Sequence, residues 1–266
     1  MNTPIAVKWK RWAAILLCIA LILPVIGWVS LIRAGNQWID DAELQAYYNQ
    51  VATKTELLEG RPIVHVEDLA PYVTEILIGV EDHRFYLHPG IDPVGVIRSL
   101  GVNLMEQSKA QGGSTITMQL ARNLFLTQDK TVVRKLKEVA IAAHLEWRYT
   151  KEEILNLYLN RVYFGHGLYG MESAAQYYFG KTMRQDSEMP AITQAEAAML
   201  VGLLKAPEHY SPFKFPEKAY ERQQVVLNRI HELGWMNDAE WLAAKQDSLE
   251  WLEVRGMQRM THVSNP

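Results

Sequence analysis

The chain has 266 residues, 48% of them apolar, a formal net charge of −3 and a single cysteine. That length accommodates a membrane anchor plus one domain of about 200 residues. The near-neutral balance, without a separate basic arm, gives no support to nucleic-acid binding. The lone thiol, Cys18, lies in an apolar run, which excludes a disulfide framework and a cysteine-based catalytic or metal site in the rest of the chain.

Residues 12–32 read WAAILLCIALILPVIGWVSLI without a charge, and a bilayer core asks for about 20 apolar residues in a helix. Lys8, Lys10 and Arg11 precede the run and only Arg33 follows closely. The bias of Lys and Arg toward the cytoplasm then puts the N-terminus inside and everything after Arg33 outside. A cleaved signal peptide fits less well, because the run exceeds a signal core and lacks a small-x-small cleavage site. The expected division is therefore a cytoplasmic stub and anchor over 1–33, a juxtamembrane linker with some helix over 34–60, one mostly helical domain over 61–256, and a tail over 257–266.

Within the domain, residues 62–66 read as a short strand or an extended entry. Asp68 is placed to cap a helix that carries Leu69, Val73, Ile76, Leu77 and Val80 on one face and delivers Glu81 at its end. Asp92-Pro93 opens another helix. Gln111-Gly112-Gly113 interrupts it, and Ser114 is placed to cap the next. Val132, Val133, Leu136, Val139, Ala140 and Ala143 mark the expected buried face of a longer helix. Thr150-x-x-Glu153 and Thr193-x-x-Glu196 are capping boxes. Gly165, Gly167 and Gly170 make a loop, residues 217–233 an amphipathic helix ending at Gly234, and residues 237–246 a last short helix.

Glu81 ends an apolar helix and precedes a loop of aromatic, histidine and glycine residues, where partial burial raises a carboxyl pKa into the range of a general base. A surface carboxylate at a helix end is the plainer alternative. Glu138 shares a helix face with Arg134 and Lys135; alone, that is a solvated ion pair. Gly112-Gly113-Ser114-Thr115 suits an anion site at a helix N-terminus, though such a run is usually just a turn. Arg122, Lys130, Arg134 and Lys135 form a basic set able to neutralise a pyrophosphate, or simply a charged surface. His83 and His88 match no metal spacing and suit structural hydrogen bonds.

Taken together and in order, these pieces resemble the peptidoglycan glycosyltransferases of glycosyltransferase family 51. Glu81-Asp82-x-x-Phe85-x-x-His88-x-Gly90 matches the first family motif. Gly112-Gly113-Ser114-Thr115-Ile116-Thr117-x-Gln119 matches the second, and Arg134-Lys135-x-x-Glu138 the third. Lys151-x-x-Ile154-Leu155-x-x-Tyr158-Leu159-Asn160 matches the fourth, while Glu196-Ala197-Ala198 and Ala206-Pro207 resemble the fifth. Met118, Asn156 and Leu204 depart from the pattern, which usually has glutamine, glutamate and proline there.

The resemblance implies a lysozyme-like, two-lobed helical domain behind one transmembrane helix, with 94–111 in a mobile lobe that dips into the membrane. It implies polymerisation of lipid II into β-1,4 glycan with release of undecaprenyl pyrophosphate at the inner membrane. Glu81 and Glu138 are then catalytic. Ser114, Gln119, Arg122, Lys130, Arg134 and Lys135 bind substrate or pyrophosphate, and Asp82, Phe85, His88, Gly90, Gly112, Gly113 and Asn160 hold the motifs. No cofactor is obligatory; Mg²⁺ or Mn²⁺ is admitted, with Glu138 as its ligand. Expected partners are lipid II, the nascent strand, membrane lipid and other cell-wall synthesis and division proteins, with no nucleic acid. Neither a Ser-x-x-Lys nor a Lys-Thr-Gly transpeptidase element is expected, which implies a monofunctional type. Two rivals remain: a lytic enzyme, which has no pyrophosphate to neutralise, and a non-enzymatic lipid II-binding scaffold, which needs no pair of carboxylates.

Overall fold

The computed structural model describes residues 4–54, 60–98, 113–127, 129 and 131–263. Two expected site residues, Gly112 and Lys130, lie outside the described residues, as does the expected mobile lobe beyond Arg98. The fold is mostly α, behind one N-terminal helix of transmembrane length. The helices are α1 Pro4–Asn36, α2 Asp41–Ala52, α3 Pro71–Glu81, α4 Ile116–Phe125, α5 Val132–Arg148, α6 Lys151–Arg161, α7 Met171–Phe179, α8 Gln194–Leu203, α9 Pro216–Glu232 and α10 Asp238–Val263. A short helical stretch at 93–98 joins them, with Val94 N donating to Asp92 Oδ1 at 3.1 Å.

The stretch of α1 from Leu16 to Asn36 is apolar enough to cross a bilayer, and its most apolar part is not buried in the protein. Its C-terminal end packs on α5, where Gly35 lies against the Ala140 backbone. Near the centre of the domain is α8, whose Ala195 and residues 197–203 are buried. Its small residues let neighbours approach: a Cβ on Gly202 would sit 3.2 Å from Arg222 Cγ of α9. In the same way Gly79 of α3 meets Ile230 of α9. Ile76 and Leu77 of α3 are buried beside these helices, each worth about 1.5–3 kcal/mol relative to exposure. The result fixes the end of α3, and therefore Glu81, against α4 and α9. Both capping boxes form as the spacing predicts.

Five local expectations are corrected or narrowed. Of the two readings of residues 62–66 the extended entry holds and the strand does not; among the described residues there are only isolated bridges. The backbone there is satisfied by side chains instead. Asn160 accepts from Val64 N at 3.0 Å and donates to Val64 O at 2.7 Å, and Asn156 accepts from Val66 N at 2.8 Å. Asp68 does not cap α3, which starts at Pro71; its carboxylate takes His65 N and Lys54. Thr115, not Ser114, caps α4, because the Thr115 hydroxyl accepts Met118 N. On α5, Val132, Val133 and Leu136 are exposed, and the buried face is Glu138 with residues 140–145. The last helix also runs on to Val263 rather than stopping near 246.

Candidate active site

The end of α3 and the start of α4 meet through the loop that follows Glu81. Asp82 is buried and does two jobs: it accepts His88 Nε2 at 2.9 Å and Ile116 N at 3.1 Å, at the entry to α4. His88 Nδ1 accepts Gly90 N at 3.2 Å, which fixes the ring with its proton on Nε2. Gly90 has φ +87° and its Cβ position is 3.0 Å from Ala142 O, so only glycine suits the turn there. Thr115 donates to Gly90 O at 2.6 Å. Phe85 is fully buried under the ammonium of Lys151, which donates to His88 O at 2.7 Å. These bonds make the first motif a rigid frame for its neighbour, Glu81.

Glu81 is half-buried. Gln119 Nε2 donates to its Oε2 at 2.7 Å, and Tyr158 donates to Gln119 Oε1 at 2.9 Å. Burial holds the Tyr158 pKa well above that of a free phenol, so its hydroxyl remains a donor. The amide of Gln119 is thereby oriented with its NH₂ toward the carboxylate. Withdrawal from bulk water raises the Glu81 pKa, opposed by the Gln119 hydrogen bond and the charges of Arg222 and Arg122. The outcome is a carboxylate held in one orientation and more basic than a free one.

One turn on from Gln119, Arg122 reaches the other half of the site. Its Nη1 is 3.7 Å from Glu138 Oε1. Glu138 is fully buried. It accepts from Arg134 Nη1 and, through its other oxygen, from Lys135 Nζ at 2.9 Å. Lys135 also donates to Ser114 Oγ at 2.6 Å. Three cations thus surround one carboxylate and leave an excess of positive charge. Burial, with Arg122 and Arg134 beside it, brings the Lys135 pKa down to about 8. Such a cluster is short of anion, which is the electrostatic condition for binding one.

A cleft of about 630 Å³ is lined by Glu81, His83, Gly113, Ser114 and Gln119, with Lys205, Arg222 and Arg229 on its far wall. Glu81, Ser114 and Gln119 therefore share one cleft, and Arg122 ties it to Arg134, Lys135 and Glu138. Asn160 is elsewhere, pinning residue 64. Reading the sequence did not single out Tyr158 as a positioning group, nor Lys205, Arg222 and Arg229. Tyr158 has a signal in the helical period, being on the face of α6 toward α4; the three cations carry no local motif. His83 receives Arg98 Nη1 at 3.2 Å.

The donor set at Glu138 does not fit a divalent cation, which would meet three positive charges and a single carboxylate. Among the described residues no group of three or more His, Cys, Asp and Glu can hold a metal. One Ser-x-x-Lys spacing does occur, at Ser211–Lys214. Ser211 is fully buried with its Oγ 2.9 Å from His166 Nε2, and Lys214 turns to Glu208, so it is a turn rather than a nucleophile site.

Comparison with known proteins agrees with this geometry. The profile of the transglycosylase family matches residues 45–231. Penicillin-binding protein 1F of Bacillus subtilis is 40% identical over 239 residues, 87% of this chain and 32% of that protein. Penicillin-binding protein 1A of Escherichia coli is 39% identical over 209 residues, 79% of this chain and 23% of that protein. A protein of Cupriavidus necator whose name carries the word transglycosylase is 44% identical over 191 residues, 70% of this chain and 80% of that protein. The chain spans a third or less of these two penicillin-binding proteins. With the family profile covering well over half of its length, the chain belongs to the transglycosylase family, glycosyltransferase family 51.

Proposed function

We propose that the protein is a membrane-anchored peptidoglycan glycosyltransferase that joins lipid-linked disaccharides. Glu81 takes the proton from the 4-hydroxyl of the incoming lipid II. That oxygen forms a bond to the anomeric carbon of the donor, held through its lipid pyrophosphate. The bond from that carbon to the pyrophosphate oxygen breaks, and its electron pair leaves with undecaprenyl pyrophosphate. Attack from the face opposite the leaving group turns an α-linkage into β, the logic of an inverting glycosidase with a sugar hydroxyl in place of water.

Charge accumulates on the leaving pyrophosphate in the transition state. Arg122, Arg134 and Lys135 stabilise it, with Ser114 beside them as a further contact. Glu138 orients the three cations and offsets part of their mutual repulsion. No step is routed through a metal ion.

The observation that carries this reading is an oriented, basic carboxylate in a cleft whose Ser114 is hydrogen-bonded to Lys135 of an adjoining cluster of cations in excess. A lytic enzyme uses the first but has no leaving group for the second. The reading also places α1 across the inner membrane, N-terminus in and the domain outside. The exposed Val132, Val133 and Leu136 at the start of α5 support a domain surface that meets lipid. A tethered enzyme then meets tethered substrates at raised effective concentration. The test is incubation of the full chain with labelled lipid II in detergent. Glycan strands longer than the disaccharide are expected; muropeptides released from sacculi, with no strand growth, would refute the reading.

A further inference from the structure

A second cavity, of about 870 Å³, lies between the outer end of α1 and the last turns of α5. Trp28, Val29 and Ile32 of α1 face His144 and Trp147 of α5 across it, and Arg33, Asp41 and Arg148 complete its lining. It is separate from the reaction cleft. Trp147 is nine residues beyond Glu138 on one helix, and at about 100° per residue the two sit on opposite faces of α5.

The two walls are joined at one end by built contacts. A Cβ on Gly35 would lie 2.1 Å from Ala140 O, so only glycine lets α1 and α5 come this close. His144 is buried and its Nδ1 donates to Ile32 O at 3.3 Å, near the end of α1. That bond leaves His144 Nε2 buried without a hydrogen-bond partner. The Trp147 ring packs on His144 with centroids 5.6 Å apart, yet is 69% exposed.

The charges are not balanced. Arg148 donates to Asp41 and to Gln45. Arg33 is exposed and has no acidic partner among the described residues. Two guanidiniums against one carboxylate leave the cavity with net positive charge, beside an apolar wall and two tryptophans. The cavity also sits at the last turns of a helix of membrane length, the depth at which tryptophan rings and arginines meet headgroups.

We propose that this cavity binds one anionic glycerophospholipid of the outer leaflet. The phosphodiester is received by Arg33 and Arg148, and an acyl chain runs down the Val29 and Ile32 side of α1. A zwitterionic headgroup would bring its own ammonium against the two guanidiniums and is disfavoured. The lipid fills the gap between anchor and domain and so sets how the domain stands on the membrane. The proposal rests on the reading of α1 as a membrane span.

The test uses the full chain in nanodiscs of phosphatidylcholine with a minority of phosphatidylglycerol, and native mass spectrometry of the released protein. One retained phosphatidylglycerol is expected, in preference to the more abundant phosphatidylcholine. Arg33→Gln and Trp147→Ala, both at exposed side chains, should each lower that retention about five-fold with unchanged circular dichroism, the scale of one basic contact at a lipid surface. Equal retention of the two lipids in proportion to their supply, or retention untouched by either variant, would overturn the site. Flotation with liposomes is the second arm. A chain that fails to float refutes the membrane reading and the site together, whereas one that floats but retains no phosphatidylglycerol refutes the site alone.

Discussion

Tyr158→Phe isolates the positioning of the base, because the buried hydroxyl bonds Gln119 and does not line the cleft. Its removal leaves Gln119 Oε1 without the donor 2.9 Å away. A neutral hydrogen bond contributes about 0.5–1.5 kcal/mol net, and an orphaned buried acceptor costs about 1–3 kcal/mol. The amide then gains by rotating, which withdraws its NH₂ from Glu81. The hydrogen bond from Gln119 favours the charged form of Glu81, so weakening it raises a pKa that burial already raises. The acid limb of the kcat/KM profile should move to higher pH. A loss of about 1.4 kcal/mol of transition-state stabilisation corresponds to about ten-fold in kcat/KM at the plateau. The assay is lipid II polymerisation by the full chain across pH, with urea unfolding to separate stability from rate. An unshifted acid limb together with an unchanged plateau would show that the chain from Tyr158 through Gln119 to Glu81 does not position the base.

The pH profile of the unmodified chain should be bell-shaped, with the alkaline limb near pH 8 as Lys135 loses its proton; Lys135→Arg, whose charge does not titrate there, should push that limb upward, and an unmoved limb would exclude Lys135. Arg134→Ala should cost at least about 2 kcal/mol of transition-state stabilisation, on the scale of one preorganised donor, read as about 30-fold in kcat/KM with labelled lipid II. Glu138→Gln leaves Arg122, Arg134 and Lys135 without their shared counter-charge at a fully buried position; unfolding should show about 3 kcal/mol of lost stability, and an unfolding free energy equal to that of the parent would mean the pairs are solvent-screened.

Much of the site could be read from spacing alone. Arg134, Lys135 and Glu138 lie three and four apart, and that forces them onto one face of α5. Gln119 and Arg122, three apart on α4, join Glu81 to the cluster for the same reason. What spacing could not give is which face looks inward. Val132, Val133 and Leu136 follow the apolar period yet point out, because the inward face of those first turns is given to a buried ion cluster. An isolated sequence shows Glu138 as a solvated pair, since burial depends on α4 covering it. The three cations of the far wall, Lys205, Arg222 and Arg229, reach the cleft through packing of α8 and α9, with Gly202 admitting the stem of Arg222. No local pattern announces that. Residues 62–66 admit either a strand or an extended entry in sequence, and Asn156 and Asn160 satisfy the backbone that a partner strand would have taken. Asn156, one of the departures from the family pattern, thus acts in the entry to the domain rather than in the cleft.

The most direct measurement is strand growth from lipid II by the Glu81→Gln chain, with its fold checked by circular dichroism. Glutamine keeps the shape and the contact to Gln119 but cannot accept the sugar proton. Polymerisation should fall to background across the whole pH range while lipid II binding persists. Glycan chains formed at a rate close to that of the parent would contradict the assignment of the base, and with it the proposed mechanism.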